Sequence, residues 1–169
     1  MSRHVLTFIV NGATHRVEVE ARRTLAETLR ESCGLTGTHV GCEHGVCGAC
    51  TVLVDDVPMR ACLMFGVQAE GAAIRTIEGL AATDGTLNVL QQAFQDHHGL
   101  QCGFCTPGFL MLATWLLERP ALLDETSLRE VLSSNLCRCT GYQGILDAVR
   151  AAARKLGRWN DTGAIPTTP

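Results

Sequence analysis

Gly41-Cys42-Glu43-His44-Gly45-Val46-Cys47-Gly48-Ala49-Cys50 places three cysteines and three glycines in ten residues. A fourth cysteine, Cys62, follows after eleven intervening residues. Glycine reaches positive φ without a Cβ penalty, so Gly41, Gly45 and Gly48 let backbone N–H groups close in on the sulfurs. The chain has 169 residues and nine cysteines. A disulfide scaffold goes with secretion and an even count. Met1 to Val10 lacks the charged start, apolar core and small-residue cleavage site of an export signal. Arg22-Arg23 leads into a polar helix start, not an apolar stretch. The expectation is a cytoplasmic chain whose clustered thiols bind metal.

The spacing Cys42-x4-Cys47-x2-Cys50 is that of plant-type [2Fe–2S] loops. Such a core needs four thiolates around two irons: three from the tight loop and one, Cys62, from a neighbouring strand. Backbone N–H groups stabilise the anionic cluster and help set its potential. Zinc is the alternative, although zinc loops favour paired C-x2–4-C halves without three cysteines in one turn. A Rieske-type centre needs two histidines. His39 and His44 lie nearby, but with four cysteines present they read as exposed loop residues.

A second set follows: Cys102-x2-Cys105, then 31 residues, then Cys137-x-Cys139. Alone it is ambiguous. Two cysteine pairs also suit structural zinc, and C-x2-C also suits a redox dithiol, but the βαβ context of that motif is missing. Cys102 and Cys105 lie just before a helix expected from Thr106, with Thr106 as N-cap and Pro107 first. Cys137 and Cys139 lie just before one expected from about Thr140. Two helix N-termini would face one centre and favour its negative charge. That predicts a higher potential than for a cluster without helix ends.

The elements around the two sets differ. Residues 4–10 and 14–19 are β-rich and flank Asn11-Gly12, a strong hairpin signal. Thr24 and Glu27 have capping-box spacing for a short helix carrying Leu25 and Leu29, which Gly34 ends. Strands are expected at 51–54, near 60–65 and at 73–76, with a turn at Asp55-Asp56. Beyond residue 83 the periodicity is helical. A stripe of Leu87, Leu90 and Phe94 marks residues 86–98. FLMLATWLLE is apolar nearly all round and should be a buried central helix, ended by Pro120. Ser127 with Glu130 would cap a third helix; Ile145, Leu146, Val149, Ala153 and Leu156 stripe a fourth. The fold class is α+β, with a small four-helix bundle second. Boundaries fall at 1–80, 83–157 and an extended tail at 158–169.

Apolar residues make up 46% of the chain and the net charge is −3, with a pI near 6.0. A basic nucleic-acid surface is not expected, nor is a membrane span, which needs about 20 apolar residues. No phosphate loop or Ser/His/Asp set is present, so no catalytic residue is assigned. Cys33 reads as a small buried hydrophobe, and Trp115 as core. Trp159 reads as a partner contact or a loosely held aromatic.

Gln101-Cys102-Gly103-Phe104-Cys105-Thr106-Pro107-Gly108 and Asn135-Leu136-Cys137-Arg138-Cys139-Thr140-Gly141-Tyr142 resemble the second-cluster motifs of the xanthine oxidase family, and residues 41–50 resemble its first-cluster loop. Over residues 4–156 the chain is similar to the separate iron–sulfur small subunit of bacterial molybdenum hydroxylases. The resemblance implies a β-grasp ferredoxin domain, then a four-helix bundle with near-two-fold arrangement. It implies two [2Fe–2S] clusters, on Cys42, Cys47, Cys50 and Cys62 and on Cys102, Cys105, Cys137 and Cys139. It implies a large partner subunit whose molybdopterin lies near Cys139 and is hydrogen-bonded by Gln101. It also implies a medium FAD-binding subunit facing the first cluster, and commonly a dimer of heterotrimers. Electrons would run from molybdenum through the second and first clusters to FAD; some two-subunit relatives lack FAD and use a separate carrier. The substrate would bind in the large subunit.

Overall fold

The computed structural model describes residues 2–161. Strands β1 (Arg3–Val10) and β2 (Ala13–Glu20) pair antiparallel. Asn11 (φ 50°) and Gly12 (φ 83°) are both left-handed, as a two-residue type I′ turn requires. Along β1, Leu6, Phe8 and Val10 point inward and Val5 and Ile9 outward. A second hairpin uses the same device: β3 (Thr51–Val54) and β4 (Val57–Arg60) flank Asp55 (φ 48°) and Asp56 (φ 60°). β5 (Ala73–Arg75) runs parallel to β1 and antiparallel to β3, so the sheet order is β2-β1-β5-β3-β4.

Helix α1 is an α-turn, Leu25–Glu27, continued by a π-helical turn, Thr28–Ser32. Thr24 and Glu27 cap it reciprocally, and Gly34 (φ 72°) follows it. Leu25, Ala26 and Leu29 share a core with Phe8, Val52 and Ile74. Half-buried Cys33 packs on that core as expected. The strand expected near 60–65 is displaced. The tight Asp55-Asp56 turn starts β4 at Val57 and ends it at Arg60, and Pro58 is tolerated because β4 is an edge strand. Cys62 therefore sits in the turn after a strand.

Helices α2 (Val89–Asp96), α3 (Thr106–Glu118), α4 (Glu125–Leu132) and α5 (Gln143–Lys155) close around a second core. α3 is its centre, and it also packs against β3 and β4. Asn88 and Gln91 cap α2, so the helix begins later than its apolar stripe suggests. Asp124, not Ser127, is the N-cap of α4; Ser127 is its N3 partner and already helical. Cys105 occupies the N-cap of α3, moving Thr106 and Pro107 inside the helix. α5 starts at Gln143 instead of near Thr140, because Gly141 (φ 66°) and Tyr142 (φ 69°) are left-handed.

The expected tail begins as part of the helical half. Leu123 N–H donates to the Arg158 carbonyl (2.7 Å) and Asn160 N–H to the Leu123 carbonyl (2.7 Å). Trp159 packs on the helical core, with the guanidinium groups of Arg150 and Arg154 5.7 and 5.6 Å from its ring. That contact replaces the loosely held aromatic that was one of the two readings expected of it. Residues 162–169 of the expected tail lie outside the described residues. Among the described residues no helix is long and apolar enough to cross a membrane.

The two halves meet closely. The Arg75 guanidinium grips the Glu118 carboxylate through two hydrogen bonds of 2.8 and 2.7 Å. A Cβ on Gly108 of α3 would collide with the Gly48 carbonyl oxygen and lie 3.0 Å from Ala49 Cα. Helix propensity favours Ala over Gly by about 1 kcal/mol. Overpacking against backbone costs about 1–3 kcal/mol, and the clash should win. Gly108→Ala is thus expected to lower stability, read as an earlier urea midpoint for the metal-loaded protein. An unchanged or later midpoint would show that the halves do not touch at Gly108.

Candidate metal centres

The first cysteine loop is curled by left-handed Glu43 (φ 58°), Gly45 (φ 75°) and Gly48 (φ 73°). The curl turns N–H groups inward. Cys47 N–H lies 3.4 Å from Cys42 Sγ. Together with the N–H groups of His44 and Val46 it draws the Cys42 thiol down to about 6. Cys50 and Cys62 are buried. Burial pushes the Cys50 thiol up to about 12, and it is hydrogen-bonded with Cys62. The set has an outer pair, Cys42 and Cys47, and an inner pair, Cys50 and Cys62.

The second set has the same plan. Cys102 and Cys139 are exposed, with sulfurs 3.5 Å apart; Cys102 as a neighbour raises the Cys139 thiol. Gln101 is exposed beside them. Cys105 and Cys137 form the inner pair. Burial pushes Cys105 up to about 12, and its thiol meets that of Cys137. Burial also pushes Cys137 upward, but hydrogen bonds from Thr140 Oγ1 (3.1 Å), Thr140 N (3.4 Å) and Cys139 N hold its thiol below the ordinary value. Of the two helix ends expected here, one is in place: α3 starts directly after Cys105. The other is replaced by turn residues 139–140, since α5 begins later.

The donor sets fit two-iron cores. The thiols meet two by two, and two thiolates per iron is what an all-cysteine [2Fe–2S] core requires. A zinc site would draw four ligands tetrahedrally onto one ion. Thr106 Oγ1, directly after Cys105, is buried and unpaired within the chain, a polar group left for an acceptor from outside it. His44 is exposed, as expected.

Four contacts that cysteine spacing does not reveal join the sets. Leu136 N–H donates to the Cys47 carbonyl (2.8 Å). Buried Asn135 donates through Nδ2 to the Gly48 carbonyl (3.3 Å). Arg60 donates to the Ser134 carbonyl (2.7 Å) and to Thr51 Oγ1. His39, expected to be an exposed loop residue, is half-buried. Its ring stacks on Phe104 (centroids 4.9 Å apart), and its Nδ1 lies 2.8 Å from the Phe104 carbonyl oxygen.

Residues 8–73 match the family described as 2Fe-2S iron-sulfur cluster binding domain, and residues 76–150 match the [2Fe-2S] binding domain. The chain is 54% identical over 156 residues to caffeine dehydrogenase subunit gamma of Pseudomonas sp. (strain CBB1), covering 90% of this chain and 93% of the relative. It is 54% identical over 151 residues to the nicotine 6-hydroxylase small subunit of Paenarthrobacter nicotinovorans, covering 89% and 90%. The solved quinoline 2-oxidoreductase from Pseudomonas putida 86 superposes with a TM-score of 0.87 at 49% identity, over 92% of this chain and 97% of that one. The chain belongs to the xanthine oxidase family, among its small iron–sulfur subunits. Such a subunit is a non-catalytic, electron-transferring part of an oxidoreductase complex. In this small subunit the two [2Fe–2S]-binding domains meet where the cysteine loops touch.

Gly48 is the tightest point of that meeting. A Cβ there would overlap the Asn135 side chain and force φ 73° on a non-glycine residue. Gly48→Ala is expected to disturb both cysteine sets together. Iron and acid-labile sulfide should fall below the roughly four of each per chain that two two-iron clusters need. Full loading would separate Gly48 from the assembly of either site.

Proposed function

We propose that the chain holds two [2Fe–2S] clusters, one on Cys42, Cys47, Cys50 and Cys62 and one on Cys102, Cys105, Cys137 and Cys139. In this reading it relays electrons from a molybdopterin centre in a large partner subunit to FAD in a medium one. When bound, the clusters supply one-electron oxidation and reduction. The N-terminal half, to about residue 80, is read as the β-grasp ferredoxin domain of the family. Residues 83–157 are read as its four-helix bundle.

The observation that carries the proposal is the Leu136 N–H···O=C Cys47 hydrogen bond of 2.8 Å. Cys47 belongs to the first set, and Leu136 is bonded directly to Cys137 of the second. One hydrogen bond and one peptide link therefore join the two ligand sets through backbone. Exposed Gln101, Cys102 and Cys139 offer the second set to a partner. Gln101 would hydrogen-bond the pterin there, beside Cys139. The assembly would be a dimer of heterotrimers in the cytoplasm. Relatives at about half identity are named for caffeine, nicotine and quinoline, all N-heterocycles, so an N-heterocycle is the substrate class we assign to the complex.

Electron paramagnetic resonance of the dithionite-reduced complex should give two distinct rhombic signals, with about four irons per small subunit. Co-purification is expected to bring down a molybdenum subunit and an FAD subunit. Molybdenum without FAD would move the acceptor to an external carrier. A colourless, silent sample containing zinc would overturn the cluster assignment. Bleaching of the iron–sulfur absorbance by an N-heterocycle under anaerobic conditions, and not by simple aldehydes, checks the substrate class.

A further inference from the structure

We propose that Thr140 raises the reduction potential of the second cluster through a hydroxyl hydrogen bond to Cys137 Sγ, and is a positioning residue for electron transfer. The inference rests on the cluster assignment above and goes beyond it.

Residues 137–142 form a closed ring of hydrogen bonds. Tyr142 N–H donates to Thr140 Oγ1 (3.1 Å). The Thr140 hydroxyl donates to Cys137 Sγ (3.1 Å), and so does Thr140 N–H (3.4 Å). Cys137 N–H donates back to the Tyr142 hydroxyl (3.0 Å). The order of donors sets the proton's direction. Tyr142 N–H occupies a lone pair of Oγ1, and an iron-bound thiolate can only accept, so the hydroxyl proton points at sulfur. Linked donors also polarise one another and strengthen the last bond of the chain.

The ring depends on a strained residue. Tyr142 is a bulky side chain at φ 69°, a region such residues avoid. Its conformation is held by the Cys137 N–H bond and by an edge contact with Phe109 (centroids 6.3 Å apart, 72° between planes). The left-handed turn delays the start of α5 to Gln143 and leaves Tyr142 N–H donating to Thr140 Oγ1. Among the described residues Cys137 is the one cysteine whose sulfur accepts from a hydroxyl. Cys137 is a buried residue, which limits competition from water.

Reduction adds negative charge to the cluster, so a donor on a ligand sulfur stabilises the reduced form more and raises the potential. Thr140→Val keeps the β-branched shape and removes the donor. Thr140→Ser keeps the donor. The test is a redox titration of the purified complex, following each cluster's electron paramagnetic resonance signal. Thr140→Val should shift the second cluster's reduced-to-oxidised ratio about tenfold toward oxidised at the wild-type midpoint, or about 59 mV for one electron. The first cluster should not move, and Thr140→Ser should titrate with wild type. A second-cluster midpoint unchanged in Thr140→Val overturns the inference. If that variant does not load, Thr140→Ala is titrated in its place by the same criterion. Loss of the second signal in both makes Thr140 a purely structural residue and also overturns it. Absence of a second signal in wild type would instead defeat the two-cluster assignment.

Discussion

The closeness of two backbones governs this molecule. Residues 47–49 of the first cysteine loop lie directly against the start of α3 and against Asn135-Leu136. Hydrogen-bonded backbone can approach so nearly only where side chains are missing, and glycine stands on both sides, at Gly48 and Gly108. The sheet and the helices have separate cores. What welds them is this seam, with the Arg75–Glu118 pair and the Arg60 bridge on its flanks. Exposed ion pairs contribute little on their own, typically about 0–1 kcal/mol. Packing and buried hydrogen bonds at the seam carry more.

The same seam bears on the proposed function. The relay proposed above needs the ligands of its two centres close and held still. Placing Leu136 N–H on the Cys47 carbonyl achieves both, and it satisfies an N–H that would otherwise need another partner. Each cysteine set then divides into an inner pair near protein and an outer pair nearer solvent. The inner thiols Cys50 and Cys105 are pushed up by burial, while backbone N–H groups pull Cys42 down and Thr140 pulls Cys137 down. Local donors, and not burial alone, decide where negative charge is welcome.

Much of this was legible in the chain. The Asn11-Gly12 turn and the Thr24/Glu27 capping box are local signals, and both stand in the structure in the expected role; the Cys42-x4-Cys47-x2-Cys50 spacing folds into one curled loop. Local signals failed where a neighbour prevailed over them. Ser127 has capping-box spacing to Glu130, but Asp124 lies three residues earlier and caps better. Cys62 looked like a strand residue until the Asp55-Asp56 turn set the register of β4. Trp159, seemingly in a tail, found the helical core through a single bridge to Leu123.

The amino-acid sequence by itself determined the two cysteine sets, the α+β class and the family, because ligand spacing and turn chemistry act over a few residues. Only the tertiary structure decided how the sets meet. His39 on Phe104, Arg60 on Ser134, Asn135 on Gly48 and Leu136 on Cys47 join residues 65 to 89 positions apart, and no periodicity links such partners. The left-handed turn at Gly141-Tyr142 was decided the same way. A tyrosine takes that conformation when surrounding contacts over-determine it, and those contacts come from Cys137 and Phe109 once the helices have packed.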